Sequence, residues 1–275
     1  MRIAGFVVAA LLAFAVFSSA ETYVVANFPY GGGWGSKLLI SNSSSNTATV
    51  EIDYFTANGN RASFPVDSGP TNITTTFLPQ NATASVTSDP TQRFGTNPVV
   101  FDWAIVTTNN GTNGQPVNVF ALYDFAPDST AATQIGSSVG AAAMAPGQSF
   151  RFPIVVNGTT RFTASMAIAN PSATSTAHIT LKLLDNSGAV KATSTLSALN
   201  LIPNGLLPRT QIAVNLPGIP EFASILTGNA LFTGSVGVCS DVPIGFVALG
   251  VEQSTPSNKI NVLYSVSVTT DFVCS

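Results

Sequence analysis

Few side chains in this chain could carry out chemistry, and the first to consider is its one histidine, His178. A Ser-His-Asp triad needs an imidazole within reach of a nucleophile. His178 stands in an alternating run in which Ile179 and Leu181 share one face, so it points with Thr180 and Lys182 to the other face. The pattern therefore predicts a solvent-facing strand residue and not a catalytic base.

Acidic residues are equally poor candidates for catalysis. Glu51 and Asp53 lie on one face of a predicted strand, about 7 Å apart by strand rise. Hydrolysis by paired carboxylates needs two acids that converge across a substrate, whereas these two alternate with Val50 and Ile52. The glycine run at residues 31–35 lacks the helix that a phosphate-binding loop requires. We therefore predict no enzyme activity, no metal and no cofactor; a secreted hydrolase is the less favoured alternative.

Composition narrows the function classes further. Charged residues make up 8% of the 275 residues, with 10 Lys+Arg and 13 Asp+Glu, against about 25% in an ordinary domain. The basic residues are scattered, which excludes a nucleic-acid partner. Hydroxyl and amide groups are cheaper to desolvate than ions when surfaces associate. This composition favours a non-catalytic structural or adhesive protein, and the 45% of hydrophobic residues argues against disorder.

Residues 1–20 have the order of a secretory signal peptide. Arg2 precedes the apolar run Ile3–Phe17, and small residues at Ser18 and Ala20 provide a cleavage site. The run is short for a membrane span, which needs about 20 residues, so an uncleaved anchor is the weaker alternative. We expect cleavage after Ala20, a secreted or cell-surface protein, and no transmembrane segment after cleavage.

The chain has two cysteines, Cys239 and Cys274, and export would place them in an oxidising compartment. An even pair in an oxidising compartment predicts a disulfide, and closing this loop would stabilise the fold by about 4 kcal/mol. Free buried thiols and a bridge between chains are the alternatives.

The chain is organised as a tandem repeat of strand patterns. Apolar residues alternate at Ala48, Val50 and Ile52, and their counterparts alternate 129 positions later. Three further matches keep the same order: 40–43 with 168–171, 103–108 with 235–240, and 116–122 with 243–249. We predict an all-β fold of two tandem immunoglobulin-like β-sandwich domains, residues 21–138 and 139–275, with a closed barrel as the alternative. One short helix is expected within Ile219–Leu226.

The sequence offers weak binding and modification sites. Tyr30 and Trp34 flank a glycine run, and exposed aromatic rings can stack on sugars; the alternative is that Trp34 packs over a sandwich edge. Asn-x-Ser/Thr motifs, which are acceptor sites where N-glycosylation operates, occur at Asn42, Asn72, Asn81, Asn110 and Asn157.

Two stretches of the chain carry a family resemblance. Phe28–Trp34 followed by Leu38–Asn42, and Met166–Ser172 followed by Ile179–Asp185, resemble the tandem Ig-like β-sandwich modules of exported, mostly uncharacterised bacterial proteins. The resemblance implies a β-sandwich architecture and a location outside the cytoplasm. It implies no activity.

Association is the remaining prediction. Lysine, which guards sheet edges, is scarce here, and Thr22–Phe28 could add as a strand to a neighbour, although it could equally pair within its own sandwich. We expect self-association or binding to other surface proteins or to glycans. A carbohydrate-binding or recognition module is the alternative function.

Overall fold

The computed structural model describes residues 20–66, 69–71, 73–88, 98–109, 117–126, 136–157, 162–196, 202–228, 230–254 and 259–274. Within these ranges the chain forms seventeen strands and one short α-helix, so the predicted all-β class is confirmed. The predicted signal peptide lies outside the described residues except for Ala20. None of the described helices has the length and apolar character that a membrane span requires.

Ten strands build the N-terminal half. They are β1 (Glu21–Tyr30), β2 (Trp34–Asn42), β3 (Ala48–Thr56), β4 (Phe64–Val66), β5 (Gly69–Thr71), β6 (Ile73–Leu78), β7 (Thr83–Thr87), β8 (Val100–Asn109), β9 (Val117–Phe125) and β10 (Ser137–Ala142). Sheet I has the order β1-β8-β3-β6 and sheet II the order β10-β9-β2-β7. A separate hairpin joins β4 to β5. The predicted boundary between residues 138 and 139 falls within β10.

Seven strands and the helix build the C-terminal half. They are β11 (Gly147–Asn157), β12 (Phe162–Ala169), β13 (Ile179–Asp185), β14 (Val190–Ser194), β15 (Gln211–Asn215), α1 (Pro220–Leu226), β16 (Leu231–Ser254) and β17 (Lys259–Ser265). The long strand β16 takes part in two layers. Its first part lies between β13 and β11, which with β14 form sheet III. Its second part lies between β12 and β17, which with β15 form sheet IV.

The two halves repeat the same strand order. Sheet I corresponds to sheet III and sheet II to sheet IV, and β8 with β9 corresponds to the single strand β16. Registers agree as well: Val24 pairs with Ile105 in sheet I as Arg151 pairs with Gly237 in sheet III. This correspondence matches the offsets read from the sequence, because Ile105 and Gly237 are equivalent positions there.

The four sheets stack in the order II, I, IV, III. Alternate residues of sheet IV face two different cores: Met166 and Phe246 belong to the C-terminal core, whereas Ala167 and Val247 belong to the core of the N-terminal half. Val24 of sheet I fits so closely on sheet IV that a Cβ at Gly245 would collide with its side chain. Each half thus has a core of its own, and in addition sheets I and IV bury their apolar outer faces against each other.

At one end of this interface, residues 209–211 of the C-terminal half contact residues 55–57 of the N-terminal half. The guanidinium of Arg209 lies 5.2 Å from the ring centroid of Phe55, and the backbone N–H of Gln211 donates to the carbonyl of Ala57 at 2.9 Å. Trp103 is completely buried in the same region and stacks on Phe55. These contacts fix how the two halves face each other, and so fix the cleft described next.

Candidate functional site

A cleft of about 250 Å³ opens where the two halves meet. The N-terminal half contributes Asn27, Trp34 and Phe101, and the outer face of sheet IV forms the opposite wall. That wall is apolar along Val247, Leu249, Val251, Leu263, Ala167 and Ala213. Its polar rim consists of Thr163, Ser165 and Asn215. An apolar pocket with a few convergent polar groups is the usual form of a small-ligand site.

Asn27 of the cleft lining has a side-chain oxygen without a hydrogen-bond partner. This Oδ1 is buried and accepts no hydrogen bond from any described residue, while the Asn27 backbone carbonyl accepts one from the Tyr123 hydroxyl at 3.1 Å. A buried polar atom without a partner costs about 1–3 kcal/mol. Across the cleft, the Thr163 hydroxyl donates to Asn215 Oδ1 at 2.8 Å, so this rim is already ordered. Because the Asn27 oxygen is buried, a ligand donor would reach it only after the side chain turns toward the cleft.

The two aromatic residues singled out from the sequence take different positions. Trp34 lines the cleft and packs against Phe125 with ring centroids 5.0 Å apart. Tyr30 lies outside the cleft lining and packs edge-on to Phe64. Between them the backbone has positive φ at three successive glycines, and a Cβ at Gly33 would collide with the carbonyl oxygen of Ala126. The glycines therefore shape a tight crossing from sheet I to sheet II.

Sequence reasoning missed Asn27 and Phe101 as cleft residues. Phe101 is 40% exposed and stands near the start of β8, directly before the buried residues 102–106. Nothing in its local sequence separates a cleft residue from an ordinary surface residue. Only the packing of sheet I on sheet IV gives it a role.

Tyr30 instead contacts a buried acid. Asp102 is 2% exposed, and its Oδ1 has no partner among the described residues. Burial raises the pKa of Asp102 to about 6, and the hydrogen bond from the Tyr30 side chain only partly offsets this effect. Burial, together with the nearby Asp102 charge, raises the pKa of Tyr30 as well. Ionisation of the buried Asp102 carboxyl therefore destabilises the N-terminal half.

The histidine has an acidic partner that the sequence interpretation did not identify. His178 Nδ1 lies 2.6 Å from Asp241 Oδ2, and the His178 backbone N–H donates to Asp241 Oδ1 at 2.8 Å. Both side chains are exposed, as expected for His178. In the repeat, the positions of His178 and Asp241 correspond to those of Thr49 and Asn109, which face each other on the neighbouring strands β3 and β8.

The second notable surface is the outer face of sheet II. Its centre is an apolar strip of Leu39, Phe120 and Leu122, and Phe120 is 38% exposed and lies over Gly140. Hydroxyl and amide side chains surround the strip: Ser41, Thr83, Ser85, Thr87, Asn118 and Ser138. The charged residues of the face are Lys37 and Asp124. No described element packs on this face.

The asparagine motifs have unequal surroundings. Asn42 is fully buried, and its Nδ2 donates to the carbonyls of Asn46, Leu78 and Pro79. This corner residue is closed to a glycan in the folded chain. Asn81 is exposed with a positive φ, and Asn157 ends β11. Asn72 and Asn110 lie outside the described residues.

The disulfide predicted from the even cysteine pair is confirmed. Cys239 of β16 and Cys274 form a disulfide with Cα atoms 5.7 Å apart. Residues 269–274, which we call the C-terminal strap, run along sheet III. Thr269 exchanges two backbone hydrogen bonds of 2.8 Å with Arg151 at the free edge of β11, and the ring of Phe272 lies over Gly237.

Comparison with known proteins adds little to these observations. No known protein family and no curated protein match the chain. Among solved structures, the apo lectin of Pleurotus ostreatus has 15% identity and a TM-score of 0.19, covering 91% of this chain and 75% of its own. The lectin from the same organism in complex with GalNAc has 12% identity and a TM-score of 0.22, covering 93% and 89%. An alpha-L-rhamnosidase of Streptomyces avermitilis complexed with L-rhamnose has 6% identity and a TM-score of 0.21, covering 91% and 28%. Similarities at these TM-scores carry no argument about this chain.

Proposed function

We propose that the protein is an exported, non-catalytic structural or adhesive protein. It is built of two tandem immunoglobulin-like sandwiches and attaches through the outer face of sheet II. The observation that carries this proposal is the repeat relationship between two faces. Leu39, Phe120 and Leu122 are the counterparts of Ala167, Val247 and Leu249, which are buried in the contact with the N-terminal half. Within the part of the chain that the structure describes, no element covers this face of the N-terminal half, whose counterpart is an interface.

The chemistry of this face suits attachment to uncharged surfaces. An apolar strip loses water favourably on contact, at about 25 cal/mol for each Å² buried. The surrounding hydroxyl and amide groups can exchange hydrogen bonds with water for bonds to a partner at lower cost than ions. Lys37 and Asp124 are opposite in sign, so the face carries no net charge that would select a charged partner.

The experiment compares adsorption of mature wild-type protein and of Phe120→Asp on hydroxyl-terminated, methyl-terminated and carboxylate-terminated layers. A quartz crystal microbalance is a suitable readout. We expect wild type to adsorb best on the uncharged layers and Phe120→Asp to lose most of that adsorption. Val155→Asp is the matched control, because Val155 is 40% exposed on β11 and lies on a different sheet. Equal adsorption by both variants would contradict the proposal.

A second candidate function is recognition of a neutral carbohydrate in the cleft. The observation that favours it is the unpartnered Oδ1 of Asn27 beside the rings of Trp34 and Phe101. Aromatic faces match the apolar faces of sugars, and sugar hydroxyls would supply the missing donor to Asn27 once its side chain turns toward the cleft. Titration calorimetry with neutral oligosaccharides tests this candidate. Phe101→Ala should weaken binding at least tenfold, whereas Phe77→Ala, which removes a 72% exposed ring outside the cleft, should not. Binding that is indifferent to Phe101 would dismiss the cleft.

A further inference from the structure

The inner contact of the molecule joins two unlike faces. Sheet I of the N-terminal half packs on sheet IV of the C-terminal half, and these two sheets are not counterparts of each other. The faces left outside are that of sheet II, which corresponds to sheet IV, and that of sheet III, which corresponds to sheet I. A contact between unlike faces leaves one unpaired face on each copy, so repeating it between copies would generate a head-to-tail row of molecules, either a ring or an open chain.

The C-terminal strap lies where such a contact would form. In the N-terminal half, the backbone N–H of Val24 at the edge of β1 donates to the carbonyl of Met144, and the Val24 side chain contacts sheet IV. In the C-terminal half, its counterpart Arg151 is bridged by Thr269. The chain then turns back over the sheet, where Phe272 covers Gly237 and Cys274 is bonded to Cys239. The strap therefore covers the part of sheet III that corresponds to the docking region of sheet I.

Side-chain sizes on the two outer faces are complementary once the strap is set aside. On sheet III the counterparts of Trp103 and Ile105 are the smaller residues Ser235 and Gly237, and the Phe272 ring lies over Gly237. On sheet II, the counterpart of Val247 in the sheet IV wall is the larger residue Phe120. Inside the molecule, Val24 of sheet I lies over Gly245 of sheet IV in the same way. A large side chain over a glycine is thus the feature that the two places share, with the two sides exchanged.

We propose that the outer face of sheet III is a docking face for the outer face of sheet II of a second copy, and that the disulfide-bonded strap caps it. Phe120 of the incoming copy takes the place of the Phe272 ring over Gly237. The capped protein is monomeric through this route, and a chain that lacks the strap stacks head to tail. Terminal caps have the same role in repeat proteins, which stack identical units and need a closed end. This inference rests on the proposed function in that it uses the same face of sheet II.

The experiment compares mature wild type with a variant that ends at Val268. Light scattering coupled to sizing should show a monomer for wild type and concentration-dependent oligomers for the truncated variant. Adding Phe120→Asp to the truncated variant should return it to a monomer, whereas adding Phe77→Asp, on the edge strand β6, should leave the oligomers intact. Should circular dichroism show that truncation unfolds the protein, the full-length variant Phe272→Ser with Cys274→Ser replaces it with the same expected results.

A mixing experiment tests the direction of the contact. The truncated Phe120→Asp variant has an open sheet III and a blocked sheet II, while wild type has the reverse. Their mixture should form a 1:1 dimer and nothing longer. The inference is overturned by a folded, uncapped variant that stays monomeric at about 0.5 mM, where a Kd near 100 µM would show. It is equally overturned by oligomers that Phe120→Asp does not affect. Adsorption of wild type does not depend on the strap, so failure here is distinguishable from failure of the proposed function.

Discussion

The buried carboxyl of Asp102 should make the stability of this protein fall as the pH rises. Its folded pKa is about 6, against an ordinary value of 3.8. The folded state therefore binds this proton more tightly than the unfolded state does, and stability declines between pH 3.8 and pH 6 as the unfolded chain ionises first. At about 1.36 kcal/mol for each pH unit, the loss amounts to roughly 3 kcal/mol.

The variant Asp102→Asn removes the titration and keeps the shape of the side chain. The amide oxygen can still accept the hydrogen bond from Tyr30, so the free energy of unfolding of the variant should lack this pH dependence. We expect the difference between variant and wild type to move by about 3 kcal/mol in favour of the variant from pH 3.5 to pH 7.5. All other titrating groups are shared by the two proteins and cancel in this comparison.

Urea unfolding followed by tryptophan fluorescence measures the effect at both pH values. Tyr30→Phe provides a second arm, because the Tyr30 hydrogen bond lowers the pKa of Asp102. Removing that bond should raise the pKa further and enlarge the loss of stability with pH. Parallel stability profiles for wild type and Asp102→Asn across this range would refute the argument that Asp102 ionises in a buried setting.

Three further perturbations test the packing. Asn170→Ala removes a buried amide that donates to three carbonyls and should cost about 3 kcal/mol in thermal or urea unfolding, whereas Asn118→Ala, at an exposed position of β9, should cost little. Cys274→Ser removes the disulfide and should lower the free energy of unfolding, measured by urea unfolding, by up to about 4 kcal/mol. Equal stability of the oxidised wild type and the variant would contradict this expectation. Gly245→Ala introduces a collision with Val24 and should cost about 1–3 kcal/mol. Val24→Ala in the same chain should recover part of that loss, and additive effects in this double-mutant cycle would count against the contact.

Strand periodicity and the internal repeat predicted much of the fold. The alternation at Ala48–Tyr54 placed the inward face of β3 correctly, and the helix expected within Ile219–Leu226 is present as α1. Thr22–Phe28 pairs with β8 of its own chain, which was the alternative to addition to a neighbour. These features can be predicted from short stretches of sequence, because alternating burial and turn formation depend on residues that are adjacent in the chain.

Local sequence patterns could not predict how the two halves pack on each other. Val24 and Ile105 stand in the near-continuous apolar runs 23–26 and 103–106, which are typical of strands buried on both faces, but such a run does not show which layer covers the second face. The cleft depends on that covering layer, so Phe101 and Asn27 had no signal of their own. The contact between His178 and Asp241 joins the positions that correspond to Thr49 and Asn109, and those two residues also pair across neighbouring strands.

The repeat also explains why near-identical architecture yields different surfaces. Equivalent positions have diverged where their neighbours differ: Ile105 faces the second half of the molecule, and its counterpart Gly237 faces the Phe272 ring of the strap. The corner asparagines have not diverged, since Asn42 and Asn170 each donate to three carbonyls within their own half. Contacts inside a half thus preserve the residue, and contacts between layers change it. The outer residues of sheets II and III are therefore the positions at which this chain's partners have to be sought.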